Sequence, residues 1–600
     1  MSVNASGPVR YAISPVRPAA HLFRVTCRVP SPDPKGQRFS LPAWIPGSYL
    51  IRDFSRHIVS IRAEAGGRPV RLEKIDKSTW RAAPCAAPLT VLYEVYARDL
   101  SVRAAYLDED RAFFNASSVF LSPAGLENAP CRIEILPPPE GNDRARWRIA
   151  TALPRLSGEK SAWNYVHEFG EFHAPNYAAL LDCPVEIGSF REIVFAAEGV
   201  PHLLAITGAA ELNEARLARD VSRICAAHIR MFGQPRLTEP YLFLLAATEK
   251  GYGGLEHDDA SALLAAREDL PKPGLADGET PPEYARLLGL ISHEYFHRWN
   301  VRRIRPSALL RADLQRENYT RLLWFFEGAT SYYDDLALLR AGVISETVYL
   351  ELLGKTLTRV RAAPGRFLQS LAEASFDAWI KYYRPNENTP NAEVSYYDKG
   401  AVVALWLDLS LRRMSKGKTS LDDLMRALWR DHGEKDSAGV GEEEIFARVE
   451  TLGGKSLRRR LRALVEGTED PPLRALFASA GVRLAWRAES SAPWLGLGTR
   501  AEGGKARITK VLSASPAEKA GLAADDTLAA LAGREIGASN LETILARFSP
   551  GAELECHYFR EGLLRVTKVR LAAPPENIAR LLPIAGAEAK IRRARWFCCA

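Results

Sequence analysis

Two histidines four positions apart, with a glutamate directly after the first, stand in Ile291-Ser292-His293-Glu294-Tyr295-Phe296-His297-Arg298-Trp299-Asn300. On a helix, positions i and i+4 lie one above the other, so His293 and His297 can reach the same divalent ion. Glu294 is rotated by about 100° from His293. That places it beside the ion rather than on it, where a general base for an attacking water belongs. The chemistry of such a set is hydrolysis assisted by zinc. An amphipathic helix could carry the same letters by coincidence. With only 11 histidines in 600 residues, however, the coincidence is rare.

The segment before it, Pro281-Pro282-Glu283-Tyr284-Ala285-Arg286-Leu287-Leu288-Gly289-Leu290-Ile291, reads as the start of that helix, with prolines in the first turn and then a Leu/Ile stripe. A catalytic zinc takes three protein ligands and keeps a position open. Two glutamates compete for third place. Glu317 stands at the spacing used by thermolysin-like enzymes, but in a polar stretch, Leu314-Gln315-Arg316-Glu317-Asn318-Tyr319. Glu327 lies within Leu322-Leu323-Trp324-Phe325-Phe326-Glu327-Gly328-Ala329-Thr330-Ser331-Tyr332-Tyr333. A carboxylate amid so much apolar surface is costly to bury without a partner, and a metal is the natural one. The predicted ligands are therefore His293, His297 and Glu327.

Composition sets the frame. Six hundred residues exceed what one core organises, so two to four domains are expected. A hydrophobic fraction of 47% and a charged fraction of 25% are ordinary for a soluble globular chain. The net charge of +8 is spread along the chain without basic blocks among aromatics, so nucleic acid is not an expected partner. No run is long and apolar enough to span a bilayer. The start lacks a charged segment followed by an apolar one, so no signal peptide is expected. None of the 8 cysteines shows CxxC spacing, which disfavours thiolate metal sites and a disulfide framework and makes the cytoplasm the expected location. The Cys598-Cys599-Ala600 ending is no prenylation box.

Four segments follow from the periodicity. Residues 1–189 read as a β-rich sandwich or saddle of short strands such as His21–Val29 and Leu92–Ala97. Within them, the aromatic, Pro- and Gly-rich stretch Leu41–Phe54 reads as a structured interface loop. His167 and His173 are spaced for different helix faces and read as structural. Residues 190–488 hold a strand pair, a helix near Glu211–Phe232, the apolar strand Tyr241–Ala247 and then mostly helices from Pro281, with Ser420 and Asp423 capping the one at Leu421–Trp429. Residues 489–575 return to strands. Pro493-Trp494-Leu495-Gly496-Leu497-Gly498, Ser515–Leu522 and the helix Asn540–Phe548 occur in an order that resembles a PDZ domain. That resemblance implies a backbone loop for a peptide carboxylate and an edge strand open to a peptide C-terminus or β-strand. Residues 576–600 read as a basic tail with Arg592, Arg593 and Arg595 on a solvated helix face.

His293–His297 with Trp299-Asn300, followed by Trp324-Phe325-Phe326-Glu327-Gly328-Ala329-Thr330-Ser331-Tyr332-Tyr333-Asp334-Asp335, resembles the glycyl aminopeptidase family of gluzincin metallopeptidases. The Trp44–His57 stretch and the PDZ-like unit are similar to that family too. The resemblance implies a multidomain α+β protein: an N-terminal β domain, a thermolysin-like, mostly helical catalytic domain and a C-terminal PDZ-like domain. It implies zinc as cofactor and removal of small first residues, glycine or alanine, from peptides with a free N-terminus. Gly253-Gly254-Leu255-Glu256-His257 resembles the Gly-x-Met-Glu-Asn strand of the wider aminopeptidase group, which would make Glu256 the anchor of the substrate amine, with Gly253 and Gly254 beside it. His257 and Leu255 depart from that pattern, and the role of His257 stays open. Tyr396-Tyr397-Asp398-Lys399-Gly400 resembles the Tyr-x-Lys-Gly motif, pointing to Tyr397 as the oxyanion donor with Tyr396 as its competitor and Lys399 structural. Two other readings stand beside this one: a zinc endopeptidase fed by the PDZ-like groove, and a catalytically silent PDZ scaffold.

Overall fold

The computed structural model describes residues 7–139, 146–156, 165–208, 211–233, 237, 239–433 and 438–598; Met1–Ser6, Cys599 and Ala600, which bear on sorting signals, lie outside them. The protein is a multidomain α+β molecule with a β-rich N-terminal part, a helical middle and a β-rich C-terminal part. Its chain divides into two compact units. One comprises Met1–Asn318, Ala337–Ile344 and Arg426–Gly439; the other comprises Tyr319–Leu336, Ser345–Met425 and Val440–Ala600. Among the described residues no helix is long and apolar enough to cross a membrane.

In the first unit the strands Val9–Arg17, Leu22–Val29 and Leu89–Tyr96 lie side by side at the centre of a seven-stranded sheet. Their residues alternate between buried and accessible, as period-two sequences must when one face packs on a core. His167 falls on the strand Val166–His167 and His173 on Gly170–Ala174, in different sheets. Burial holds the His167 imidazole down at about 4, as suits a structural neutral ring.

A further five-stranded sheet carries the chemistry-bearing strand. Its order is Arg191–Ala197, Val200–Thr207, Tyr241–Thr248, Ala260–Ala266 and Tyr252–Glu256, so Tyr252–Glu256 is its edge. The inner strand Tyr241–Thr248 is apolar on both faces: Tyr241 and Phe243 pack on Tyr295 of the helix Pro282–Phe296, while Leu242 and Leu244 join the core of the N-terminal β-rich part.

Two buried histidines fix this helix. His202 has Nδ1 2.9 Å from the Val200 carbonyl and Nε2 2.9 Å from the Tyr295 hydroxyl. A carbonyl only accepts, so Nδ1 carries the proton and Nε2 accepts from Tyr295. His228 places Nε2 2.8 Å from Ser292 Oγ. Burial pushes both imidazoles down to about 3.

The second unit is helical from Leu323–Phe326 to Arg474–Ser479, with Ser420 and Asp423 at the start of Leu421–Leu428, where the Ser420 amide donates to Asp423 Oδ2 at 2.9 Å. Its C-terminal β-rich part orders the strands Leu497–Glu502, Lys505–Val511, Thr527–Leu531, Glu553–Arg560 and Leu563–Arg570 around a core of Leu495, Ile508, Leu528, Leu531, Ile544 and Tyr558. The basic tail is not a solvated face. Glu576–Pro583 is a strand paired with Val482–Ala488, and in the helix Ala587–Phe597 both Arg593 and Trp596 are buried. Arg593 donates to Glu346 at 2.6 Å and to the Gly481 and Ile584 carbonyls, while Trp596 Nε1 donates to Tyr332 at 3.1 Å. Positions 593 and 596 share a helix face, and that face carries one Arg with partners and one indole; only Arg595 of the three arginines is exposed.

The two depressed histidines set a pH dependence. Each stays neutral in the folded chain to about pH 3 but titrates near 6.5 once unfolded. Their contribution is complete above pH 6.5 and is lost as pH falls from there toward 3. Each steepens the stability curve by about 1.4 kcal/mol per pH unit in that window. Denaturant unfolding with a chelator present, at pH 7, 6 and 5, should show this slope, and His228→Asn should flatten it; equal slopes in the two proteins would contradict the assignment.

Candidate metal centre

The metal-binding helix runs Pro282–Phe296, with Pro281 at its N-cap and Pro282 in its first turn, as the sequence predicts. His297 continues it in helical geometry and its amide donates to the His293 carbonyl at 3.3 Å. The two imidazoles consequently share a face, with ring centres 4.7 Å apart and planes at 87°. His297 Nδ1 donates to the Asn300 carbonyl at 2.8 Å, which directs the lone pair to Nε2, the tautomer a metal ligand needs. The donor chemistry thus fits a zinc ion, for which imidazole and carboxylate are customary ligands.

Beside this helix lies the edge strand Tyr252–Glu256. Glu256, Glu294 and His297 bring their ligand atoms within 4.8 Å of one another, all three buried. The approach is so close that a Cβ at Gly254 would sit 2.0 Å from Glu294 Oε1. A third segment seals the cluster. Gly47, at φ +89° in the Trp44–Tyr49 loop, has its α-carbon against Glu256, and a Cβ there would stand 2.7 Å from Oε1. The sequence marks this loop as an interface element, and the surface it packs on is the candidate amine anchor. Pro46-Gly47 is the available signal, since a residue with positive φ that tolerates no Cβ marks close approach.

His257 belongs to a neighbouring charge cluster. Its Nδ1 lies 3.3 Å from Asp182, which also accepts from Arg302, and Arg302 reaches Asp258 at 2.8 Å. Burial alone would raise the Asp182 carboxyl, but Arg302 and then His257 outweigh it and hold it at about 2. Arg103 lies on the other side of the strand, with Nη2 donating to the Gly254 carbonyl at 2.8 Å. Glu317 is half-buried on a loop and, among the described residues, joins no cluster of three metal-ligating groups.

In the second unit Glu327 is buried between the helices Leu323–Phe326 and Gly328–Arg340. Tyr397 directly precedes the helix Asp398–Met414. Burial pushes the Tyr397 phenol well above its ordinary value, with the Glu327 charge the next contribution, so it stays a proton donor beside that carboxylate. Tyr383 shares a 3.3 Å hydroxyl contact with Tyr397, and Tyr396 stacks on it at 4.7 Å. Two glycines bring these residues together. A Cβ at Gly328 would lie 2.6 Å from the Gly400 α-carbon, and one at Gly400 would lie 2.6 Å from the Trp324 carbonyl. Lys399 is buried and donates to the Arg366 and Thr468 carbonyls at 3.1 and 3.3 Å, the structural part expected of it. Burial lowers its ammonium to about 8.

Two family models match the chain: the Peptidase M61 N-terminal domain over residues 10–189 and the M61 glycyl aminopeptidase over 286–403. An aminopeptidase N family protein from Idiomarina loihiensis, known from its crystal structure, is 35% identical, with a TM-score of 0.92 over 98% of this chain and 100% of that one. An M1 zinc metallopeptidase from Deinococcus radiodurans is 13% identical, with a TM-score of 0.46 over 78% of this chain and 95% of that one. A likeness as weak as the second assigns no activity. No curated protein matches the chain.

The glycine–glycine contact leaves no room for a methyl group. Gly400→Ala should cost about 1–3 kcal/mol by overpacking. Urea unfolding checks this; an unshifted midpoint would mean that the two helices part without cost.

Proposed function

Because this chain belongs to the M61 glycyl aminopeptidase family, and as such is a zinc metallopeptidase of the aminopeptidase type, we propose that it removes the first residue, preferentially glycine or alanine, from peptides with a free N-terminus. The observation that supports this reading is the closeness of Glu256, Glu294 and His297, whose ligand atoms lie within 4.8 Å of one another.

His293, His297 and Glu327 would hold the zinc. When bound, zinc acts as a Lewis acid that polarises a carbonyl and lowers the pKa of a water toward neutrality. The rest falls to side chains. Glu256 takes the substrate ammonium in a charge-assisted pair and thereby fixes which peptide bond is presented. Glu294 collects the proton of the attacking water on its carboxylate and returns it to the leaving amine. Tyr397, kept protonated by burial, donates its O–H to the oxygen on which negative charge develops. The Gly47 and Gly254 backbones exclude water around both carboxylates, which strengthens each of these interactions.

The C-terminal β-rich part is, in this reading, PDZ-like. Leu497–Glu502 lies at the edge of its sheet, directly after Leu495-Gly496, where Gly496 adopts φ +78°; both features suit a peptide added as a further strand. Seven cysteines stand unpaired among the described residues, in keeping with a reducing, cytoplasmic setting.

Three variants test the assignment by zinc content and amino acid release. Glu294→Gln should keep zinc and lose about 10²- to 10⁴-fold in turnover. Glu327→Ala should lose zinc, whereas Glu317→Ala should retain it. Full activity in the first variant, or zinc loss in the third alone, would overturn these roles.

A further inference from the structure

Resting on the aminopeptidase reading, we propose that Arg103 receives the C-terminal carboxylate of the substrate, so that the preferred substrates are free di- and tripeptides. Arg103 is half-buried, and its Nη2 donates to the Gly254 carbonyl at 2.8 Å while Nη1 lies 3.3 Å from where a Gly253 Cβ would stand. Its Nε is buried and makes no hydrogen bond. Among the described residues no carboxylate forms an ion pair with it. A guanidinium with donors to spare and no counter-charge lies, therefore, along the edge strand of the site.

Its place on that strand selects the ligand. The substrate amine belongs at Glu256, and the base Glu294 presses on the α-carbon of Gly254. A peptide held at both points runs from Glu256 past Gly254 toward Gly253, so that whatever follows the scissile bond arrives at Arg103. A strand rises about 3.3 Å per residue, which puts Gly254 and Gly253 roughly 7 and 10 Å from Glu256. Extended di- and tripeptides place the carboxylate at about the same two distances from their amine. In a longer chain a neutral peptide group occupies that position, and the charge-assisted fork to a carboxylate is lost. Gly253 has no side chain to separate the guanidinium from the strand.

The test uses the zinc-loaded full chain and alanine release from trialanine, trialanine amide and pentaalanine. The wild type should show a KM for trialanine at least tenfold below that of the amide and of the pentamer, with kcat values within about threefold of one another. Arg103→Gln should bring the acid-to-amide ratio of KM close to one. Arg103→Lys, which keeps the charge without the fork, should retain a reduced preference. A purely structural arginine would alter both substrates alike and leave that ratio unchanged, which overturns the proposal. Equal KM values for acid and amide in the wild type also overturn it, with the aminopeptidase reading intact. No release of alanine from any of the three would overturn that reading and this inference with it.

Discussion

Two buried carboxylates, Glu256 and Glu294, crowd one imidazole of the HEYFH helix within 4.8 Å. Like charges about 5 Å apart repel by roughly 3 kcal/mol even at an effective dielectric near 20. The fold nevertheless forces them together, with a glycine α-carbon against each: Gly47 on Glu256 and Gly254 on Glu294. In the proposed reaction each step relieves this repulsion. An incoming ammonium neutralises Glu256, and the proton taken from water neutralises Glu294. The affinity for a free amine then draws on the enforced proximity of two acids.

That proximity depends on how rigidly the surrounding groups are held. The HEYFH helix is tied to the sheet behind it by His202 through Tyr295 and rests on His228 through Ser292, both rings neutral because burial disfavours their charge. The edge strand is braced at its far end by the Asp182–His257–Arg302–Asp258 cluster, whose charges compensate one another away from water. In the second unit the same device recurs, with glycine against glycine. Gly328 and Gly400 let Glu327 and Tyr397 sit on helices that cross at backbone distance. The dipeptides Glu327-Gly328 and Lys399-Gly400 are thus a carboxylate and a lysine, each followed by the space its helix requires.

Sequence reasoning reaches furthest where the signal is local. The spacing of His293 and His297, the prolines that start their helix, and the apolar surroundings of Glu327 all act within a few turns of one chain segment, so periodicity reveals them. Long-range approach is invisible to periodicity. Nothing near Gly47 says that its α-carbon will meet Glu256, and nothing near Arg103 says that its guanidinium will lie on Gly254. The terminal segment illustrates the same limit. Its arginines suggest a solvated helix face, whereas Arg593 and Trp596 find buried partners in Glu346 and Tyr332. The strand at Glu576–Pro583 is stabilised by its partner at Val482–Ala488 rather than by its own composition.

Recognition of a positive charge on the substrate by Glu256 is what the proposed activity rests on. The deciding comparison is turnover of alanyl peptides carrying a free or an acetylated N-terminus by the wild type and by Glu256→Gln. If Glu256 binds the ammonium, acetylation should lower wild-type kcat/KM by at least a hundredfold, and Glu256→Gln should lose most of this discrimination through its lower rate on the free peptide. Cleavage of the acetylated peptide as fast as the free one would contradict that role, and would make the enzyme an endopeptidase.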